Sequence, residues 1–195
     1  ISNHGTLTVN GGNFEAYTYG AITNKGTAKI YGGVFEGIDR GEGVQNDGNG
    51  EIYIYGGEII GDTALLNTGT AYISGGEFTS NDYAALNILK GTVEVTGGSF
   101  TGTDFASGYY SGTPYGEWTI DIDEDASLIL KGGDFPNGFV VDETTVNAFL
   151  AEGYYYKDAD GKLITVSDDA KVINGYVKVT KGADLSEAVV TVDKT

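Results

Sequence analysis

The chain has 195 residues, of which 32 are glycine and only two proline; it has no cysteine and carries a formal net charge of −17. Hydrophobic residues make up 40% and charged residues 20%, enough apolar surface to bury a core and exclude a disordered chain. The missing cysteines exclude a disulfide framework, a thiol nucleophile and a Cys-type zinc site, and the excess of carboxylates makes nucleic acid and anionic membrane surfaces poor partners.

The N-terminal stretch Ile1-Ser2-Asn3-His4-Gly5 has neither a start methionine nor the pattern of a signal peptide, and reads as the interior of a longer multidomain chain. No run of 18 apolar residues follows, so membrane insertion is not expected. The first element is GTLTVNGGNF (5–14), and it recurs without gaps as GTAKIYGGVF (26–35), GEIYIYGGEI (50–59), GTAYISGGEF (69–78), GTVEVTGGSF (91–100) and ASLILKGGDF (126–135). In each copy apolar and polar residues alternate, as a strand with one buried face requires. The inward pairs are Leu7/Val9, Ala28/Ile30, Ile52/Ile54, Ala71/Ile73, Val93/Val95 and Leu128/Leu130. A Gly-Gly pair then marks a sharp turn, and two residues later a large apolar side chain returns to the interior: Phe14, Phe35, Ile59, Phe78, Phe100 or Phe135.

An aliphatic-x-Asn triplet precedes each of the first five strands, ending at Asn3, Asn24, Asn46, Asn67 and Asn87. In stacked coils these asparagines form a ladder, each side-chain amide donating to the next. A repeat of roughly 20 residues with one strand in a fixed register is too short for strand-helix units but fits one coil of a parallel β-helix. The predicted fold is therefore all-β: a single-stranded parallel β-helix of about six coils over residues 1–135, right-handed because parallel crossovers favour that hand. A coil alone buries too little to offset its ordering entropy, so the stack must fold as a unit.

Between the fifth and sixth copies the stretch 101–118 reads as a loop leaving the coil, and it carries Tyr109 and Tyr110. From Pro136 to Thr195 the pattern changes to a capping region. Asp142 is placed to cap a short helix with the stripe Val146, Phe149 and Leu150, stopped at Gly153. Two strand-like runs follow around Asp160-Gly161, then VINGYVKV (172–179), predicted as a tight hairpin at Asn174-Gly175. Helix and hairpins together would cover the open edge of the solenoid.

The GT-x-x-[VI]-x-GG-x-F unit with its I-x-N-x-G lead-in resembles the repeats of secreted or cell-wall-attached surface proteins of Gram-positive gut bacteria, grouped with the pectate-lyase-like right-handed β-helices. The resemblance spans about residues 1–135 and implies an extracellular location. The closing ADLSEAVVTVDKT (183–195) resembles the opening strand of the Ig-like modules that often follow such repeats. Neither resemblance brings a catalytic residue.

Enzymatic β-helices acting on polysaccharides set the main alternative, a lyase or a glycoside hydrolase. A lyase needs a base beside a uronate and a hydrolase needs paired carboxylates in a cleft. The chain has one arginine, Arg40, and one histidine, His4, both in turn-like stretches without a clustered partner, and no catalytic residue is assigned. The acidic runs Asp121/Asp123/Glu124/Asp125 and Asp158/Asp160 lack the ligand spacing of a calcium loop, so neither metal nor cofactor is expected. More suggestive is the outward face of the repeated strand. Tyr31 and Tyr55 share one column, Tyr53 and Tyr72 the next, with Glu51 nearby, which puts four phenol rings together on a flat sheet suited to stacking on sugar rings or anchoring a protein. Cross-strand stabilisation is the competing role for the same rings. The outer threonine column is interrupted by Lys29, Tyr53, Tyr72 and Glu94 in its neighbour, which argues against an ice-binding face. The sequence thus points to a non-enzymatic, adhesin-like surface module that binds glycan or a host protein through Tyr31, Tyr53, Tyr55, Tyr72, Glu51, Tyr109 and Tyr110. A purely structural spacer is the remaining alternative.

Overall fold

The computed structural model describes residues 1–102, 118–141 and 144–182. The six repeated strands Thr6–Val9, Thr27–Ile30, Glu51–Ile54, Thr70–Ile73, Gly91–Val95 and Ala126–Leu130 form one parallel sheet in chain order. Their register matches the sequence alignment residue for residue: Thr6↔Thr27↔Glu51↔Thr70↔Thr92↔Ser127 lie side by side. Six stacked strands are separated by five crossovers, so the solenoid makes about five full turns rather than six.

The other two faces of the coil share a second sheet. One follows the glycine corner, with Asn13–Ala16, Val34–Gly37, Ser99–Thr101 and Asp134–Phe135; the other carries the lead-in strands Ser2–Asn3, Ile22–Asn24, Val44–Asn46 and Trp118–Ile122. In the third and fourth coils the two faces run together as the long strands Glu58–Asn67 and Glu77–Ile88. Trp118 thus belongs to a strand, paired with Ala84, and the inserted loop ends before it. At its other end Thr101 also belongs to a strand, and residues 103–117, with Tyr109 and Tyr110, lie outside the described residues.

Inside, like side chains stack on like. Phe14 and Phe35 have ring centroids 5.2 Å apart, Phe78 and Phe100 4.8 Å, and Phe100 and Phe135 5.4 Å, with Ile59 in register between Phe35 and Phe78. The asparagine ladder is present over four rungs. Nδ2 of Asn3, Asn24 and Asn46 donates to Oδ1 of Asn24, Asn46 and Asn67 at 2.7, 2.8 and 2.8 Å. The expected fifth rung is absent. Asn87 pairs with Leu66, and Ile88 takes the place beside Asn67, because the register shifts between Ser80 and Ala84. Asn67 Nδ2 instead donates to the Lys90 and Gly69 carbonyls, and Oδ1 of Asn87 is buried without a hydrogen-bond partner.

The two glycines of each corner serve different ends. Gly76 has φ +104°, a left-handed conformation that a side chain resists, whereas at Gly75 a Cβ would sit 2.4 Å from the Tyr55 carbonyl oxygen of the preceding coil. The first residue lets the coils approach and the second turns the chain.

Beyond residue 135 the cap differs in detail from expectation. The helix is a single 3-10 turn, Val146–Phe149, preceded by Thr145, which makes no side-chain cap; Asp142 lies outside the described residues. Gly153 (φ +79°) turns the chain after that element, where the Tyr154 amide donates to the Ala151 carbonyl. Asn174-Gly175 is a turn but not a hairpin. Val172–Asn174 pairs with Gly138–Val140, while Val177–Lys181 pairs with Tyr154–Lys157 and with the solenoid's own Asp134–Phe135. The arms separate because each has an exposed edge to cover, and burial of Ile173 on one side and Val177 and Val179 on the other fixes the split. Around Asp160-Gly161 the two runs meet through a single bridge, Lys157↔Leu163. Phe139, Phe149 and Tyr156 extend the phenylalanine stack into the cap, so both parts share one core.

Candidate functional site

The tyrosines meet as their columns require. Alternation along Glu51–Ile54 buries Ile52 and Ile54 and turns Glu51, Tyr53 and, one residue on, Tyr55 outward. Parallel in-register pairing then brings Tyr53 beside Tyr72, with ring centroids 5.0 Å apart at 17°, and Tyr31 beside Tyr55, at 4.7 Å and 12°. Tyr31, Tyr55 and Tyr72 are 50%, 43% and 39% exposed. Glu51 accepts a 2.7 Å hydrogen bond from the Tyr53 hydroxyl, and that bond, followed by burial and the negative charge beside it, pushes the Tyr53 phenol up to about 12.

Stacking changes what the patch offers. Each ring has one face on its partner in the adjacent coil, so the four do not lie flat as one platform. Above Tyr53 the free face is taken by Lys29, whose Nζ lies 5.8 Å from the ring centroid. Below Tyr55 the next residue in the column is Ser74, which is exposed and too small to cover an aromatic ring. The face of Tyr55 turned away from Tyr31 is therefore open, and Tyr72 stands beside the gap. The tyrosine columns were legible from the alignment, as were the residues that modify them. Ser74 and Lys29 stand in the same columns, but only the stacking geometry gives them meaning.

Next to the open ring the chain turns through Gly56-Gly57 and, one coil on, Gly75-Gly76. These corners floor a groove of about 570 Å³ running along the stack, with Glu58, Glu77, Ser99 and Asp134 lining it. Asp134 is engaged by Lys178 and the Tyr176 hydroxyl. Glu58 and Glu77, in-register neighbours, form no ion pair among the described residues.

Comparison of the chain with family models, with characterised proteins and with solved structures found no match.

His4 is exposed and shares a 3.2 Å hydrogen bond with Ser2. Arg40 does have carboxylate neighbours, contrary to the sequence reading: it lines a second groove, of about 450 Å³, with Glu36, Asp39, Asp62 and Asp82. Coil stacking brings these together from three successive turns, which no linear spacing reveals. Asp39 and Arg40 take left-handed backbone angles, φ 53° and 81°. Burial, then the nearby Asp82, raises the Asp62 carboxyl, while Arg40 opposes the shift; burial likewise raises Glu42. Asp121 accepts a hydrogen bond from Tyr83, and Asp158 accepts those of the Asp160 and Lys162 amides within its own turn. Among the described residues no three His, Cys, Asp or Glu side chains gather as metal ligands.

Proposed function

We propose that the chain is a non-enzymatic extracellular surface module of adhesin type, binding glycan through its exposed tyrosine face. The observation that carries this reading is the pair of solvent-exposed tyrosine stacks on a rigid parallel sheet, where one ring, Tyr55, keeps an open face. Rings held by their neighbours lose little entropy on binding, and a phenol offers an apolar face with a wet hydroxyl. The repeat's resemblance to Gram-positive surface proteins supports a location outside the cell, in a secreted or wall-attached chain. Screening the chain against a glycan panel and against host surface proteins, with Tyr55→Ser/Tyr72→Ser as control, tests the reading. Glycan binding that disappears in the double variant supports it; unchanged binding, or a protein ligand instead, overturns it.

A second reading, a polysaccharide-active enzyme, draws on the groove at Arg40, where a carboxyl raised by burial sits with a second acid and a cation. Such a carboxyl suits a general acid. Its test is the release of new reducing ends or unsaturated products from a polysaccharide panel, lost in Asp62→Asn.

A further inference from the structure

The open face of Tyr55 and the glycine-floored groove are neighbours, and their chemistry is unequal. On one side of the corner, Tyr55 turns an uncovered ring over Ser74, flanked by Tyr72. On the other, immediately past Gly56-Gly57, stands Glu58, with Glu77 beside it in the next coil. Like charges in register on adjacent strands repel, and no cation among the described residues relieves these two. The corner between has no side chains to obstruct an extended chain lying along the solenoid axis. Lys131 and Lys178, the basic groups toward the far end, are paired with Glu94 and Asp134. The protein's charge of −17 adds a field of the same sign.

We propose that this notch binds a chain of amino sugars bearing free ammonium groups. One pyranose ring lies against the open face of Tyr55 above Ser74, with the polymer continuing along the glycine corner and its ammonium groups met by Glu58 and Glu77. This rests on the tyrosine face being a glycan site and adds the ligand's class. An acidic sugar would meet the two carboxylates with like charge. A neutral one would leave them unanswered. A basic peptide would satisfy the charges and can lay a cation over Tyr55, as Lys29 does over Tyr53. The amino sugar is favoured because its pyranose ring covers the phenol face with apolar C–H groups while its ammonium groups remain for the carboxylates.

The test is calorimetric titration of the whole chain, at about pH 6 where the sugar amines are protonated, with a glucosamine oligomer, the matching N-acetylglucosamine oligomer and an oligolysine of equal length. The glucosamine oligomer should bind most tightly. Its affinity should fall by about tenfold or more in Glu58→Gln/Glu77→Gln and with added salt. Ser74→Tyr continues the ring column and covers Tyr55; it should abolish binding while leaving the thermal midpoint unchanged or raised. If Ser74→Tyr fails to fold, Tyr55→Ser decides the same point. Equal binding of the N-acetylated oligomer overturns the amine assignment but leaves the tyrosine face standing. Equal binding of oligolysine, or binding untouched by these variants, overturns the site. Failure of all three ligands overturns the inference, whereas the tyrosine face itself stands or falls on the wider panel.

Discussion

Asn24 donates from its side-chain amide to Oδ1 of Asn46 at 2.8 Å, and both residues are wholly buried. The same Asn46 donates onward to Asn67 Oδ1 and to the carbonyls of Gly50 and Thr70. Each amide thus joins its own turn to the next coil, in an interior where a polar group without partners is costly.

Asn46→Ala removes the middle of this chain, leaving the Asn67 Oδ1 acceptor unanswered on one side and taking an acceptor from the Asn24 Nδ2 donor on the other. Chemical denaturation should show a loss of about 2–4 kcal/mol. Asn3, also buried, has one neighbour in the ladder among the described residues, and Asn3→Ala should cost about 1 kcal/mol. Equal losses at the two positions would show that the ladder does not act cooperatively.

The corner glycines give a sharper contrast because the sequence makes them equivalent. At Gly75 a Cβ would meet the Tyr55 carbonyl oxygen at 2.4 Å, while at Gly11, the same repeat position in the first coil, nothing lies within 4 Å. Gly75→Ala should therefore destabilise by about 2–4 kcal/mol through backbone displacement. Gly11→Ala should lie within about 1 kcal/mol of the parent and tend to stabilise, since it only restricts the unfolded chain. Thermal midpoints of the two variants compare them directly.

That contrast marks what the sequence could and could not disclose. Strand register was legible in every copy because a one-residue slip would turn Ile52 and Ile54 to solvent and Tyr53 inward, so the alternation admits one alignment. The tyrosine columns followed from it. Asn87 was misread because spacing alone cannot see the irregularity between Ser80 and Ala84 that moves Ile88 into the ladder's place. The hairpin at Asn174-Gly175 failed for a different reason. The turn chemistry is right, with Gly175 at φ +77°, but edges elsewhere in the fold compete for both arms and win. The open face of Tyr55 depends on which neighbour a ring stacks against, and the groove at Arg40 on residues from three coils; neither is written in any local pattern.

Tyr53 gives a pH signature. Its phenol is pushed up to about 12, first by the hydrogen bond to Glu51, so the folded state holds the proton more tightly than the unfolded chain. The stabilisation linked to this proton is fully present below the ordinary phenol value of about 10 and is lost as pH rises through about 12. Burial raises Tyr156 and the hydrogen bond to Asp134 raises Tyr176, so ultraviolet titration should show a late-ionising group of tyrosines that loses one phenol's share in Tyr53→Phe. In Glu51→Gln the Tyr53 phenol should ionise earlier, because the carboxylate that opposes phenolate formation is gone. An unchanged titration curve in Glu51→Gln would show that the hydrogen bond does not set the shift.

Tyr31 and Tyr55 separate stabilisation from binding, since the proposed ligand touches one and not the other. Their rings stack at 4.7 Å, and a double-mutant cycle with serine at each position should return a coupling of about 0.5–1.5 kcal/mol. If the stack serves only the sheet, Tyr31→Ser lowers stability and leaves glycan affinity alone. If Tyr55 must be held upright to present its lower face, Tyr31→Ser also weakens binding, because the freed ring then pays rotamer entropy when the ligand docks. Tyr31→Phe restores the stack without the hydroxyl and should recover both properties. Recovery of stability without recovery of binding would instead mean that the Tyr31 hydroxyl contacts the ligand, placing the sugar chain one coil higher than Ser74 and contradicting the notch.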